Sequence, residues 1–127
     1  MEIVSHDPYS RENLTYLGRT SRGADVYINS IFATADVKIL IGDVEYHQLF
    51  GYGGGPKSIH PGIADAESIR LIHSLLDSPR ARAGVIEGNP LQEEIREVAK
   101  MANVDFALNV VLNSKREVVK ALSLIHI

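Results

Sequence analysis

Gly42 to His73 reads GDVEYHQLFGYGGGPKSIHPGIADAESIRLIH, and the reading of the chain turns on this stretch. It holds three of the five histidines, a glycine cluster at Gly51, Gly53, Gly54 and Gly55, and a lysine directly after a proline, Pro56-Lys57. The apolar run Val37–Ile41 (VKILI) precedes it, and an amphipathic pattern follows Pro61-Gly62. That layout is a strand, a long irregular loop and then a helix. In α/β proteins the loop at the carboxyl end of a strand is where ligands bind.

Working outward, VKILI is almost entirely apolar and β-branched, the pattern of a strand covered on both faces. The helix after the loop starts with Asp65 as N-cap and runs to about Leu76, with Ile69, Ile72, His73 and Leu76 as its inner stripe. Upstream, Ser10 to Gly18 predicts a short helix over Arg11–Leu17, Val26–Ile28 a short strand, and Ser30–Ala35 a short helix with Ile31 and Phe32 turned inward. Downstream, Asn89-Pro90 with Gln92 opens a helix whose buried face is Leu91, Ile95, Val98, Ala99 and Ala102, and Asn103 ends it. Phe106–Leu112 (FALNVVL) reads as a buried strand, followed by a turn at Asn113–Arg116 and a short strand at Glu117–Lys120. Together these predict an α/β fold, a Rossmann-like partial domain with a mainly parallel sheet, over residues 1–121. The last six residues, LSLIHI (122–127), shift composition abruptly without a turn or cap, and read as a foreign, vector-derived tail.

The chain has 127 residues, one domain at most, with 45% hydrophobic and 23% charged residues. Thirteen basic against sixteen acidic side chains give a net charge of −3, so neither nucleic acid nor an anionic membrane is an expected partner. No cysteine is present, which excludes disulfides and thiolate metal sites and leaves His, carboxylate or a cofactor to hold any metal. No apolar run reaches membrane-spanning length, no signal-peptide pattern opens the chain, and a cytoplasmic location is the default expectation.

The chemistry concentrates in the central stretch. Ordering three consecutive glycines costs roughly 0.5–1 kcal/mol each relative to alanine, which points to positive φ or to main chain approaching a ligand, phosphate among them, with a flexible surface loop as the plain alternative. Gly51–Ser58 (GYGGGPKS) approximates the phosphate loop of nucleotide hydrolases. Pro56, however, replaces the glycine before the lysine, and Lys57 stands well ahead of the helix, so that chemistry does not fit. Lys57 is either a solvated charge or, held by the rigid backbone around it, a nucleophile able to bond an electrophile. His73 is either a hydrogen-bonded core residue or a ligand, and His47, just past the strand, either a loop residue or a general acid/base. His60 and His6 read as structural or exposed. Glu45 either orients His47 or is solvated.

The same stretch resembles the signature region of the nickel-pincer-nucleotide-dependent lactate racemase family. That family shows a Gly-x-x-Glu-x-His segment, a Gly-aromatic-glycine-rich run ending in lysine, a Pro-Gly pair and a helix carrying histidine. Lys57 follows His47 by ten positions and His73 follows Lys57 by sixteen, as in the family. Residues 16–23 (YLGRTSRG), Glu87-Gly88-Asn89-Pro90 and residues 104–111 (VDFALNVV) agree too, so the resemblance covers residues 5 to 121. It departs where Pro56 and Gly53 stand for the arginine and serine of the best-known members, which leaves substrate identity open.

By that resemblance, Lys57 is joined covalently to a nickel-pincer nucleotide of the pyridinium-3,5-bisthiocarboxylic acid mononucleotide type. Two sulfurs and a ring carbon of that cofactor bind Ni(II), His73 supplies the fourth ligand, and Gly53, Gly54 and Gly55 pass close to it. His47 becomes one of two acid/base histidines acting on a small 2-hydroxy acid, whose C2 hydride moves to the cofactor and returns to the other face. Enzymes of cofactor synthesis are then necessary partners. The second histidine and an Asp/Arg substrate segment are expected upstream of this chain and a closing domain beyond it. The chain is therefore expected to be a fragment, inactive alone. The alternative reading is a non-catalytic phosphate- or nucleotide-binding module built on the Gly51–Gly55 loop.

Overall fold

A computed structural model describes residues 2–125, with side chains through residue 123. After a 3-10 turn at Arg11–Asn13, strands β1 (Leu14–Arg19) and β2 (Asp25–Asn29) pair antiparallel. The helix predicted over Arg11–Leu17 is therefore a turn and a strand. Ser10 makes no side-chain cap there, and the tight turn of Thr20 to Ala24 brings β2 alongside, where Tyr16 packs across from Tyr27 at 5.0 Å. Cross-strand aromatic and β-branched contacts outweigh local helix signals. Helix α1 (Ser30–Thr34) follows, capped by Asn29; Phe32 packs on the core, whereas Ile31 points to solvent.

Strand β3 (Ile39–Asp43) leads to the long loop, which contains a two-residue hairpin, β4 (Tyr46–His47) with β5 (Gly51–Tyr52), and a 3-10 turn at Gly55–Ser58. Helix α2 (Ala66–His73) starts from Asp65, whose carboxylate accepts from the amides of Glu67 and Ser68 at 3.1 Å each. A 3-10 turn carries the chain on through Ser74–Asp77. Helix α3 (Pro90–Met101) is capped by Asn89 and buries Leu91, Ile95, Val98 and Ala99, with Ala102 just beyond it. Strand β6 (Phe106–Leu112) then lies beside β3, and β7 (Val118–Ile125) beside β6.

The sheet corrects the predicted Rossmann-like, mainly parallel arrangement. Only β3 and β6 run parallel; β1–β2, β4–β5 and β6–β7 are all antiparallel, so the fold is a mixed α/β one. The cause lies in the connections. A long crossover through α2 and α3 separates β3 from β6, but β6 returns by a tight turn in which Asn113 Oδ1 accepts from the amides of Lys115 and Glu117 and Arg116 adopts a φ of 61°. Such a turn can only build a hairpin. Residues 122–125 continue β7 opposite β6, and residues 126–127 lie outside the described residues.

Coverage of β3 differs from expectation as well. Leu40 is buried, but Ile39 and Ile41 are 53% and 75% exposed, because alternate side chains face opposite ways and only one face meets the helices among the described residues. The main apolar cluster joins Val26, Ile28, Leu40, Ile59, Ala64, Val98, Ala99, Ala102 and Ala107. A smaller one joins Phe50, Ile72, Leu91 and Ile95. Helix α3 contributes to both, and the second cluster carries the site.

Candidate functional site

Phe50 is 1% exposed, and its ring is the centre about which the three predicted side chains gather. The His47 ring stands edge-on at 5.1 Å between centroids and the His73 ring edge-on at 6.1 Å, while Lys57 Nζ lies 5.7 Å from the Phe50 centroid. A strand end, a 3-10 turn and a helix end each supply one of them. The ammonium over an aromatic face is favourable by itself.

The two imidazoles are held in opposite tautomers, as their partners assign them. His47 Nδ1 accepts from the backbone N–H groups of Leu49 and Phe50, each at 3.2 Å, so the neutral ring carries its proton on Nε2. Burial first, then the Lys57 ammonium, with His73 adding to them, hold the His47 pKa below its ordinary value against the opposing pull of Glu45. His47 is therefore neutral at pH 7. His73 Nδ1–H instead donates to the Ile69 carbonyl one helical turn back, at 2.7 Å, which leaves the Nε2 lone pair for another partner. A histidine that ligates a metal typically ties its other ring nitrogen to a carbonyl or carboxylate in this way.

The glycine loop is shaped by contact with its neighbours. At Gly54 (φ +77°) an added Cβ would lie 2.7 Å from the Asp43 carbonyl and 2.8 Å from Asn109 Oδ1, and at Gly51 (φ +82°) it would overlap the Val85 carbonyl. Gly55 donates its N–H to Asn109 Oδ1 at 3.0 Å. Gly53 donates to the Glu45 carbonyl at 2.8 Å, and a Cβ there would meet only ordinary contacts. Loop geometry thus demands glycine at 51 and 54, and not at 53.

His60 is fully buried, and neither ring nitrogen has a hydrogen-bond partner among the described residues; burial lowers its pKa to about 4. His6 is structural, its ring nitrogens bonded to the Ala64 carbonyl at 2.9 Å and the Asn29 amide at 3.4 Å. Two site-shaping residues escaped the sequence reading. Asn109 left a signal, a polar residue inside an apolar strand, which is uncommon unless it is bonded. Phe50 left none, since a loop has no periodicity to mark it.

Among the described residues no group of three or more His, Asp or Glu side chains could hold a metal ion. No helix among the described residues is long and apolar enough to cross a membrane.

Residues 1–84 match the family of lactate racemase N-terminal domains. The chain is 38% identical over 122 residues to the lactate racemase of Thermoanaerobacterium thermosaccharolyticum, covering 94% of this chain and 29% of that protein. To the lactate racemase of Lactiplantibacillus plantarum it is 34% identical over 120 residues, covering 93% of this chain and 28% of that one. The solved lactate racemase apoprotein from T. thermosaccharolyticum superposes with a TM-score of 0.93 at 36% identity, over 95% of this chain and 30% of the other. A protein of known structure from Thermotoga maritima shares the fold, at a TM-score of 0.71 and 21% identity over 93% of this chain and 33% of its own. The chain thus spans less than a third of the length of these relatives, and by its sequence it belongs to the lactate racemase N-terminal domain family.

Proposed function

We propose that this chain is the cofactor-bearing core of a lactate-type 2-hydroxy-acid racemase or epimerase, in which Lys57 anchors a nickel-pincer nucleotide and His73 completes the coordination of Ni(II). One observation carries the reading: His73, whose Nδ1 is bonded to Ile69 and whose Nε2 has no partner among the described residues, shares the Phe50 ring with an amine and a second imidazole. The residues fit such a group. A lone imidazole needs three further donors, which a pincer offers, and neutral nitrogen with sulfur suits square-planar Ni(II). The steric demand for glycine at 54 keeps the main chain low beside the turn that bears Lys57.

When bound, that group would supply three donors to Ni(II) and a hydride acceptor for the substrate. The chain's residues do the rest. Lys57 Nζ forms the tether. Phe50 closes the floor against water and fixes the three heads relative to one another. His47 offers Nε2–H to the hydroxyl oxygen of the 2-hydroxy acid. To take that hydroxyl proton at Nε2, the ring must first carry its own proton on Nδ1, which the Leu49 and Phe50 amides oppose, so this turn loosens as His47 works as a base. The whole enzyme requires the other acid/base group and the loading enzymes from outside this chain.

Mass spectrometry of the full-length protein, produced together with the cofactor-synthesis enzymes, tests the assignment. An adduct at Lys57 is expected, absent in Lys57→Ala; His73→Ala is expected to keep the adduct and lose nickel by elemental analysis. Active enzyme with an unmodified Lys57 overturns it.

A further inference from the structure

Helix α3 carries into the interior one carboxylate that the site around Phe50 does not use. Glu94 is 2% exposed, and its Oε2 is buried without a hydrogen-bond partner among the described residues. It lines a pocket of about 120 Å3 enclosed by α3, by the turn between β1 and β2, and by the end of α2 with the 3-10 turn that continues it. From this geometry we infer that the pocket binds a small monovalent cation, with Glu94 as its charged ligand and Ser74 as a neutral one. The inference goes beyond the cofactor reading, since none of His47, Lys57 and His73 lines the pocket.

The charges of the walls decide the sign of the ligand. Two charged side chains line the pocket, Glu94 and Arg22. The Arg22 guanidinium is already engaged, its Nη2 standing 2.6 Å from Glu93 Oε2. Glu97, on the next turn of α3, is occupied as well: its two oxygens accept from the amide and the hydroxyl of Ser21 at 2.7 Å each. Of these groups Glu94 alone is left without an answering charge among the described residues. A carboxylate held out of water is strongly unfavourable unless a cation or an ion pair compensates it. Water alone satisfies its hydrogen bonds but leaves the charge facing the apolar walls made by Ala24, Leu71, Ile72 and Leu75.

Charge and size narrow the class. One uncompensated carboxylate balances one positive charge. No group of three or more His, Asp or Glu side chains gathers among the described residues, which argues against a divalent or transition-metal ion caged by the protein. The donors on offer are oxygens: Glu94, water, and the Ser74 hydroxyl, which gives its proton to the Leu71 carbonyl at 2.6 Å and keeps its lone pairs. The carbonyl end of a helix favours a cation too. The volume matches roughly four water molecules at about 30 Å3 each, enough for an alkali ion with part of its water shell and too little for an organic metabolite. His73 stands between Ile72 and Ser74, both on the pocket wall, so an ion bound there braces the turn that presents His73.

Thermal melting of the full-length apoprotein tests the site. The protein is melted in tetramethylammonium chloride, whose cation is too bulky to bind carboxylate oxygen closely, and that salt is then replaced by KCl or, separately, NaCl at constant ionic strength. The melting temperature is expected to rise with at least one of the two, by about 1–2 °C for each tenfold increase in the ion once the site fills. Glu94→Gln keeps the shape, removes the charge and should abolish the rise. Ser74→Ala, a change at an exposed residue, should need a severalfold higher concentration of ion for the same rise, and keeps the test open should Glu94→Gln fail to fold. No rise with either ion, or an unchanged ion dependence in either variant, overturns the proposal. So does a loss of stability in Glu94→Gln that is equal in every salt, which would mean that a basic side chain, Arg22 or one from elsewhere in the full-length protein, answers the carboxylate.

Discussion

The two apolar clusters do different work although one helix feeds both. The larger is built from buried aliphatic side chains of β2, β3, β6, α3 and the long loop, with Phe32 packed against it and no aromatic ring among its buried members. The smaller has four buried members, and one of them, Phe50, touches every proposed functional head. The first holds the fold; the second sets the distances within the site. Because α3 places Leu91 and Ile95 in one and Val98 and Ala99 in the other, the site is registered to the sheet through a single rigid element.

Truncating each cluster in full-length protein is the strongest way to break that distinction. Phe50→Ala is expected to cost about 3–5 kcal/mol and to abolish activity, while Ile59→Val in the larger cluster costs about 0.5–1.5 kcal/mol and leaves activity intact. Chemical denaturation and racemisation rates measure both. Phe50→Leu separates the ring from its volume: activity should fall much further than stability does. Unchanged activity in Phe50→Leu would show that the ring does not organise the site.

A pH titration sharpens the comparison where a histidine is buried outright. The pKa of His60 is lowered to about 4 from its ordinary 6.5 because burial disfavours the charged ring. A lowered histidine pKa means that the unfolded chain takes up the proton first. Stability is therefore full above pH 6.5 and falls as pH drops from there towards 4, by about 3 kcal/mol in all. Melting temperature measured across that window should decline steeply in the full-length protein and less so in His60→Gln. Equal slopes would show that His60 is not the group being titrated.

How much of this was legible differs between elements for physical reasons. Helix α3 could be read almost residue by residue, since Asn89, Pro90 and the Leu91–Ala102 stripe agree with one another and with the tertiary packing. The cap at Asp65 and the strand at Phe106–Leu112 were equally plain. The sense of the sheet was not, because an apolar run records that a strand is buried and says nothing of the direction of its neighbour; that information sits in the Asn113 turn. VKILI likewise records apolarity and not coverage, which is why Ile39 and Ile41 stand exposed. Arg11–Leu17 misled because pairing with β2 overrode its local helix signals. The resemblance to the family implied a shared site for His47, Lys57 and His73, but the Phe50 ring about which they stand lies in a loop, where no pattern marks a contact.

An effect smaller than those at Phe50 and His60 tests how the second cluster is tied to α3. Asn89 is fully buried and does two jobs: Oδ1 accepts from the amides of Leu91 and Gln92 as the helix cap, and Nδ2 donates to the carbonyls of Leu49 at 2.8 Å and Val85 at 3.0 Å. The first job stabilises α3; the second pins the residue next to Phe50. Losing a cap costs about 1 kcal/mol, and the two carbonyls left without a donor move Asn89→Ala towards the upper end, about 2 kcal/mol. Asn89→Ser keeps a capping oxygen but cannot reach both carbonyls, so it should recover most of the stability and little of the site. The readout is the His47 titration followed by NMR, since its Nδ1 accepts from the Leu49 and Phe50 amides. In Asn89→Ser the His47 pKa should rise towards its ordinary value as the turn loosens and the ring gains water. A wild-type His47 titration in that variant would mean that the turn holds its shape without Asn89, and that the second cluster depends on α3 through Leu91 and Ile95 alone.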